Sequence, residues 1–357
     1  MKLTTNTRTA LAALATAIAS SLAGAAPTAN TPPAEPFDHL ADRIKFDYPL
    51  PSSEKLNYDP AIPTPESVLG HRLGEHFTRH HQILDYLQAL AAASDRVTIQ
   101  TYGNTHQRRP LVILTITSTE NHQNLDQILQ DNRRLADTRN TSDTRAQRII
   151  DRNPTLAWYS FNVHGNEGSC SEAAIQVAYT LAAATNDDIA SWLNDTIVVI
   201  DPVLNPDGRE RYVAFFENAI GAERDPDPYS QEHREPWPTG RSNHYLFDLN
   251  RDWAWLSQPE SASRLPIYQQ YLPHLHIDYH EQGYNSPHFF GPGDTPYNLN
   301  IPQSTKDWIE RFGEHNETIF DTLGLPFTTA ERFDYLYPGY AKVTPVYHAA
   351  VGTLTQQ

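Results

Sequence analysis

The sequence predicts an α/β fold, a three-layer α/β/α sandwich built on a mixed, mostly parallel twisted sheet. Apolar segments typical of strands alternate with segments of helical length. Crossovers of that length join parallel strands and place helices on both faces of a sheet. Two early strand-like segments are separated by only a short connection, which predicts an antiparallel hairpin within the sheet.

The predicted elements alternate along the chain. A helix is predicted over residues 72–93, the hairpin strands over residues 96–102 and 111–117, and a polar helix over residues 125–136. The alternation continues with strand 156–163, helix 171–184, strand 197–203, helix 259–271 and strand 275–279. Residues 207–245 are polar and contain several prolines, and a connection of that length favours a functional loop.

The chain divides into three predicted parts. Residues 1–26 begin with basic side chains, continue with an alanine-rich apolar run and end in small residues. This pattern is typical of a secretory signal peptide, cleaved near Ala26. Residues 27–65 are rich in proline and predict an extended lead-in, and residues 66–357 are expected to form one domain. We therefore expect an exported protein, periplasmic or extracellular.

The charge of the chain excludes several classes of partner. A formal net charge of -16 at pH 7 argues against nucleic acid and anionic membranes, because both repel an acidic surface. After the signal peptide, no stretch approaches the roughly 20 apolar residues that a membrane span needs, so we expect no stable membrane insertion. A single cysteine excludes an internal disulfide. The oligomeric state is not determined by the sequence.

The strongest chemical pattern is the run from Asn162 to Gly168, placed where an apolar strand ends and a helix begins. Ligands of α/β sheets collect at such strand ends. Across this turn, His164 and Glu167 can both reach one cation, while the glycines give the backbone room to bend. The His-x-x-Glu pattern alone is equally typical of a loop histidine beside a surface glutamate.

A further metal-ligand candidate follows at the end of another predicted strand. With His164 and Glu167, His280 would complete the two-histidine, one-carboxylate set of catalytic zinc, which leaves a position open for water. His276 is an alternative, because residues 276 and 280 share one face of a strand and periodicity does not separate them. The position at the strand end favours His280.

Four short sequence blocks occur in the order seen in the zinc carboxypeptidases, and the chain resembles that family from about Leu69 onward. The blocks are His164-Gly165-Asn166-Glu167, Asn205-Pro206-Asp207-Gly208, Asp248-Leu249-Asn250-Arg251 and Asp278-Tyr279-His280. The resemblance implies one Zn2+ ion held by His164, Glu167 and His280, and it decides against His276. It also implies a peptide or protein substrate with a free C-terminal carboxylate.

The resemblance implies roles for side chains around the metal. Asn250 and Arg251 would grip the terminal carboxylate of the substrate, since a guanidinium fork can bind a carboxylate through two parallel hydrogen bonds. The alternative for Arg251 is a structural ion pair with an acidic residue such as Asp252. Asp248 would orient a zinc-binding histidine.

A second arginine of the family polarises the scissile carbonyl. Arg241 resembles that residue, although its spacing to the Asn-Arg pair is shorter than in the digestive enzymes, and Arg209 and Arg211 are alternatives. The family also has a functional tyrosine, for which Tyr337 is our candidate. The alternatives to Tyr337 are Tyr335 and Tyr340.

The sequence departs from the family pattern near its end. The family mechanism uses a glutamate at the end of a late strand to take and return a proton, and Gln356 occupies that position. An amide does not act as a carboxylate base, and loss of general-base catalysis typically costs about 10²–10⁴-fold in rate. Glu281 is a poor substitute because strand neighbours point to opposite faces, whereas Glu331 and Asp334 stay open as candidates. Lys342 occupies what resembles an acidic position of the family.

The sequence therefore predicts a zinc-dependent metallocarboxypeptidase-like hydrolase that cleaves C-terminal residues from peptides with zinc-activated water. Gln356 favours an alternative, a truncated or diverged member that is catalytically impaired or inactive and binds peptides or the cell wall. A related amidase that trims peptidoglycan stem peptides is a further alternative, because such substrates also offer a free carboxylate.

Overall fold

The described part of the chain folds around one sheet of eight strands. The computed structural model describes residues 56–222 and 224–357, so the predicted signal peptide and most of the predicted lead-in lie outside the described residues. The described end of the lead-in packs on the domain, because the amide of Asp59 donates a 2.8 Å hydrogen bond to the carbonyl oxygen of Ala183. Among the described residues, no helix combines the length and apolar character that a membrane span needs.

The strands form a mixed sheet. Their bounds are Val97–Asn104 (β1), Pro110–Ile116 (β2), Thr155–Phe161 (β3), Thr196–Asp201 (β4), Leu275–His280 (β5), His288–Phe290 (β6), Phe327–Thr328 (β7) and Val351–Gln356 (β8). The spatial order is β1-β2-β4-β3-β5-β8-β6-β7. The central strands β4, β3, β5 and β8 are parallel, whereas β1 with β2, β2 with β4, and β6 with β8 pair antiparallel. The predicted hairpin and mixed sheet are confirmed.

Helices occupy the connections between these strands. Their bounds are Pro65–Leu69 (α1), His80–Ala93 (α2), Thr119–Gln123 (α3), Leu125–Ala136 (α4), Asp143–Arg152 (α5), Ser169–Ala183 (α6), Asp187–Asp195 (α7), Pro206–Ala219 (α8), Pro259–Tyr271 (α9) and Gln303–Leu323 (α10). Helices α4 and α9 have the bounds that the sequence predicts.

The hydrophobic core lies on both faces of the sheet. Because successive strand side chains point to opposite faces, Tyr159 and Phe161 of β3 pack with α2 and α6, whereas Trp158 packs with α4 and α9. All three side chains are fully buried. The predicted arrangement of helices on both faces of an α/β sheet is therefore confirmed.

Two predicted segments differ in extent from the structure. The helix predicted over residues 72–93 begins only at His80, because the backbone at Arg79 is extended. The polar segment 207–245 is not wholly a loop, because most of α8 lies in it and the Asn205 side chain caps that helix. Helices α1, α3, α5, α7 and α10 and the short strands β6 and β7 are also absent from the prediction. Helix α10 buries few of its side chains, which weakens its periodicity.

Lys342 lies in the turn before β8 and is almost completely buried. Its ammonium group donates a hydrogen bond to the carbonyl oxygen of Phe333 and lies 4.4 Å from the ring centre of Tyr335. Burial lowers the pKa of Lys342 to about 7, although the charges of Asp334 and Asp278 act in the opposite direction. The folded protein therefore disfavours the charged form of this side chain.

We expect Lys342→Met to raise the free energy of unfolding at pH 7 by about 2 kcal/mol. The ordinary lysine pKa is 10.5, so between pH 7 and 10.5 the unfolded chain binds more protons at this residue than the folded chain. Native stability should rise with pH over this range, and the advantage of the variant should shrink. Urea unfolding at pH 7 and pH 10 measures both effects.

The control for this prediction is Lys306→Met on α10, where the lysine is only partly buried. That substitution should leave the free energy of unfolding at pH 7 nearly unchanged, because it removes no fully buried amine. A Lys342→Met variant that is less stable than the native chain at pH 7, or equally stable at both pH values, would contradict the prediction.

Candidate metal centre

The loop after β3 places two predicted ligands side by side. Asn162 adopts a left-handed backbone conformation with φ of 59°, which asparagine tolerates better than most residues. Its buried side-chain amide donates hydrogen bonds to the carbonyl oxygens of His164 at 2.7 Å and Glu167 at 2.8 Å. One side chain thereby fixes the turn in which both ligand candidates lie.

Gly165 allows this loop to approach the start of α8 closely. A side chain at this position would place its Cβ atom 2.1 Å from the backbone nitrogen of Arg209 and 2.6 Å from the carbonyl oxygen of Gly240. Both neighbouring atoms belong to backbone, which gives way less easily than a flexible side chain. The loop that carries His164 and Glu167 and the Asn205-Pro206-Asp207-Gly208 block therefore touch through backbone atoms.

The structure brings His164, Glu167 and His280 together. One ligand atom from each side chain lies within 4.8 Å of the others. Nδ1 of His164 is 2.6 Å from Oε1 of Glu167, and Nδ1 of His280 is 2.9 Å from Oε2 of Glu167. His276 lies outside this group, buried against the rings of Trp253 and Tyr268.

The second ring nitrogen of each histidine faces a carboxylate. Nε2 of His164 lies 3.2 Å from Oδ1 of Asp248, and Nε2 of His280 lies 2.5 Å from Oδ2 of Asp278. Histidines that bind metals are commonly held in this way, with the remaining nitrogen free to face the ion. The sequence reasoning missed Asp278, although its position two residues before His280 on one strand was a usable signal.

Negative charge dominates this group. Burial alone would raise the pKa of Glu167, but the two imidazoles beside it lower the pKa to about 2. Burial alone would lower the pKa of His280, but Asp278 and Glu167 raise it to about 10. The pKa of Asp248 is lowered despite burial, because of its hydrogen bond to His164 and the charges of His164 and two arginines. The site therefore stabilises positive charge at its centre.

These residues fit a zinc ion. Two imidazole nitrogens and one carboxylate form a donor set that catalytic zinc uses, and both imidazoles have carboxylate partners on their far nitrogens. The surrounding negative charge that favours a proton on His280 also favours a divalent cation in its place.

Arg241 contacts the same carboxylate as His164. Its Nε and Nη2 atoms lie 3.2 and 2.9 Å from Oδ2 of Asp248, and its side chain is 42% exposed. The guanidinium groups of the two alternatives, Arg209 and Arg211, form hydrogen bonds within the protein away from Asp248. Arg209 is fully buried and pairs with Glu172, and Arg211 donates to carbonyl oxygens of residues 239–244. Arg241 is thus the arginine of the three that offers an exposed guanidinium beside the site.

Asn250 and Arg251 have different surroundings. The guanidinium of Arg251 is half-exposed and lies 4.6 Å from the ring centre of Tyr340. Nδ2 of the buried Asn250 amide lies 3.0 Å from Nε2 of His280, and Oδ1 of Asn250 accepts a hydrogen bond from the amide of Ala341 at 2.8 Å. Arg251 faces solvent, whereas the side chain of Asn250 is engaged within the protein.

The structural alternative for Arg251, an ion pair with an acidic residue, has Asp248 and not Asp252 as the neighbouring carboxylate. Asp252 accepts hydrogen bonds from Ser257 and from the backbone amide of Gln258. The carboxylate that lies within ion-pair distance of Arg251 is Asp248, at 3.8 Å. Arg251 is therefore available to an external carboxylate.

The three candidate tyrosines occupy different environments. The hydroxyl of Tyr337 donates to the carbonyl oxygen of Arg251 at 2.9 Å and accepts a hydrogen bond from the indole of Trp255. Tyr340 lies against the guanidinium of Arg251, and Tyr335 is buried with its hydroxyl on the carbonyl oxygen of Gly352. Tyr337 and Tyr340 border the site, and Tyr335 belongs to the core.

Gln356 lies at the end of β8, directly opposite His280 in the parallel pairing with β5. Paired residues of neighbouring strands point to the same face, so the amide and the imidazole share one face of the sheet. The carboxylate of Glu281 instead bonds to the amide and hydroxyl of Ser169. Glu281 therefore does not face the site, as the strand alternation predicts.

The fold and the site define the class of protein. A mixed α/β sheet presents a buried two-histidine, one-carboxylate group at the carboxyl ends of adjacent parallel strands. The family model described as zinc carboxypeptidase matches residues 83–275, more than half of the chain. The chain belongs to the zinc carboxypeptidase family.

Similar proteins agree with this assignment. Carboxypeptidase E of Caenorhabditis elegans is 41% identical over 95 residues, which cover 26% of this chain and only 17% of that protein. The structure is similar to carboxypeptidase A from Helicoverpa armigera, with a TM-score of 0.54, 17% identity and coverage of 82% of this chain and 69% of that one. It is also similar to bovine thrombin-activatable fibrinolysis inhibitor, with a TM-score of 0.50, 12% identity and coverage of 79% and 86%. At these identities the two solved structures show a shared fold.

We expect Gly165→Ala to lower the free energy of unfolding by about 3 kcal/mol, because the added Cβ meets backbone atoms that must shift. Zinc affinity should fall together with stability, since the loop carries two predicted ligands. Thermal unfolding and zinc titration measure the two effects. Gly283→Ala is the matched control, because a Cβ there would lie 3.8 Å from its nearest neighbour. Equal stability of the two variants would contradict the prediction.

Proposed function

We propose that this protein is a zinc-dependent metallocarboxypeptidase-like hydrolase that removes C-terminal residues from peptides. The observation that carries the proposal is the convergence of His164, Glu167 and His280 on one buried point. The proposed substrate is a peptide or protein with a free C-terminal carboxylate. The predicted signal peptide would deliver the protein to the periplasm or the extracellular space.

Each side chain has a proposed role. His164, Glu167 and His280 would hold one zinc ion, which when bound polarises a carbonyl group and activates water. Asp248 and Asp278 orient the two imidazoles. Arg251 binds the terminal carboxylate, and Arg241 stabilises the negative charge that develops on the scissile carbonyl oxygen. Tyr337 borders the substrate position through its contact with Arg251, and the side chain of Asn250 ties the segment that contains Arg251 to the backbone at Ala341.

We expect the native protein to bind one zinc ion per chain and His280→Leu to weaken zinc binding by about a hundredfold or more. Mutation of a residue that only orients a metal ligand typically lowers metal affinity about 10–100-fold, so loss of a direct ligand should lower it at least as much. Metal analysis and zinc titration measure the effect. His276→Leu is the matched control, because His276 lies on the same strand face but outside the group, packed against aromatic rings. Equal loss of zinc in both variants, or no zinc in the native protein, would refute the proposed site.

Gln356 supports a second candidate function, a zinc-containing protein that binds peptide or cell-wall ends with little turnover. Its amide occupies the position beside His280 at which the family resemblance implies a proton-transferring glutamate. The fold and the metal group do not depend on a carboxylate there. The two candidate functions therefore differ in turnover and share the binding of the carboxyl end.

We expect Gln356→Glu to raise kcat on N-blocked dipeptides by about 10²–10⁴-fold, because it restores a general base. KM should change little, since the two side chains have nearly the same size. Steady-state hydrolysis measures both constants. Gln357→Glu is the matched control, because it adds the same charge one residue further along the chain. If the native protein hydrolyses the dipeptides with the same kcat as Gln356→Glu, the second candidate function is excluded.

A further inference from the structure

Glu235 connects two segments of the candidate site through its two carboxylate oxygens. Oε2 accepts a 2.9 Å hydrogen bond from the side-chain amide of Asn166, which directly precedes the proposed ligand Glu167. Oε1 accepts a hydrogen bond from the backbone amide of Gly240, which directly precedes Arg241. A single carboxylate therefore bridges the loop of the proposed metal ligands and the backbone from which Arg241 extends.

The backbone at Gly240 is packed closely on both sides of this bridge. A Cβ atom at Gly240 would lie 2.7 Å from Cβ of Tyr212 and 3.2 Å from Oε1 of Glu235. The carbonyl oxygen of Gly240 lies 2.6 Å from the position that a Cβ atom at Gly165 would take. Because close-packed neighbours transmit a displacement, movement of the carboxylate would also move the backbone at Gly240.

Asn205 holds the same backbone from its other end. Its side-chain amide lies 3.1 Å from the carbonyl oxygen of Arg241 and 3.3 Å from the carbonyl oxygen of Val163. Glu235 thus fixes the amide before Arg241, and Asn205 fixes the carbonyl after it. Loss of the Glu235 carboxylate would release one of these two anchors and leave the other in place.

The guanidinium of Arg241 needs such anchors. Its side chain is 42% exposed, and its recorded contacts are the bonds of Nε and Nη2 to one carboxylate oxygen of Asp248. A group that stabilises developing charge must be in position before the charge forms. A long, half-exposed side chain depends on its backbone for that position, because solvent and one partner constrain it weakly.

We propose that Glu235 is a positioning residue that holds Arg241 in place beside the metal group. This inference rests on the proposed function, in which Arg241 stabilises the negative charge on the scissile carbonyl oxygen. Removal of the Glu235 carboxylate would free the amides of Asn166 and Gly240 and let the backbone before Arg241 move. Affinity for a negatively charged, tetrahedral reaction centre would fall, whereas zinc binding, which does not involve Arg241, would persist.

The test compares two N-blocked dipeptide analogues that are not cleaved, one with a phosphonate and one with an uncharged methylene ether in place of the scissile amide. Calorimetry on the zinc-loaded protein gives both dissociation constants and needs no turnover. We expect Glu235→Ala to weaken phosphonate binding about tenfold, the value of one charge-assisted hydrogen bond, and to leave binding of the ether nearly unchanged. Glu217→Ala is the matched control, because the Glu217 carboxylate pairs with Arg79 instead.

An exchange of acceptor and donor tests the bridge itself. Asn166→Asp places two carboxylates against each other and should weaken phosphonate binding. Addition of Glu235→Gln should restore the affinity, because the new amide can donate to residue 166 and its oxygen can still accept from Gly240. Asn166→Asp combined with Glu217→Gln has the same net charge as the exchanged pair but no bridge, so it should not recover.

The outcomes separate this inference from the proposed function. Unchanged phosphonate affinity in Glu235→Ala, or no recovery in the exchanged pair, would overturn the role of Glu235 alone. A zinc affinity that falls together with phosphonate affinity would also overturn it, because Glu235 would then act through the metal ligands. Failure of the native protein to bind zinc or either analogue would overturn the proposed function and this inference with it. Circular dichroism verifies folding, and the exchanged pair, which keeps the size of both side chains, decides the question if Glu235→Ala does not fold.

Discussion

The site depends on one constraint, the sharing of the Glu167 carboxylate between two imidazoles that come from different strands. Its two oxygens lie 2.6 Å from His164 and 2.9 Å from His280. The contact requires β3 and β5 to be adjacent and parallel, so that the loop after one strand meets the end of the other. It also requires Gly165, because a side chain there would push the loop away from α8. Sheet order and the absence of a side chain at residue 165 together position His164, Glu167 and His280, the proposed metal ligands.

Two polar side chains, Asp248 and Asn250, link the histidines to neighbouring residues of the site. Asp248 lies 3.2 Å from His164 through one oxygen and 2.9 Å from Arg241 through the other. Asn250 likewise lies between His280 and the amide of Ala341. A shift of Asp248 or Asn250 would therefore move a histidine together with a residue next to the proposed substrate position. Affinity for zinc and affinity for a carboxylate are therefore expected to be coupled through these two side chains.

The sequence predicted the sheet better than the surface helices, for a physical reason. The central strands are apolar runs that bury both faces, and α9 has clear signals at its ends. Helix α10 spans Gln303–Leu323 but buries only Ile309, Gly313 and Phe320, so its pattern is too weak to recognise. At the site, the sequence named His164, Glu167 and His280, but the inward direction of the Asn250 amide depends on tertiary contacts with Ala341 and His280. Local spacing does not contain that information.

Under the proposed function, two residues would change the charge of the site in the same direction. If the family resemblance holds at these positions, Gln356 removes one negative charge beside His280, and Lys342 replaces an acidic residue and changes the charge by up to two units. Both changes favour an anionic ligand end, and the first also removes a proton carrier. Stronger holding of the product and slower proton transfer each lengthen the time that a carboxyl end stays bound. Under the proposed function, Gln356 and Lys342 would therefore favour recognition over turnover and would leave the proposed ligands His164, Glu167 and His280 unchanged.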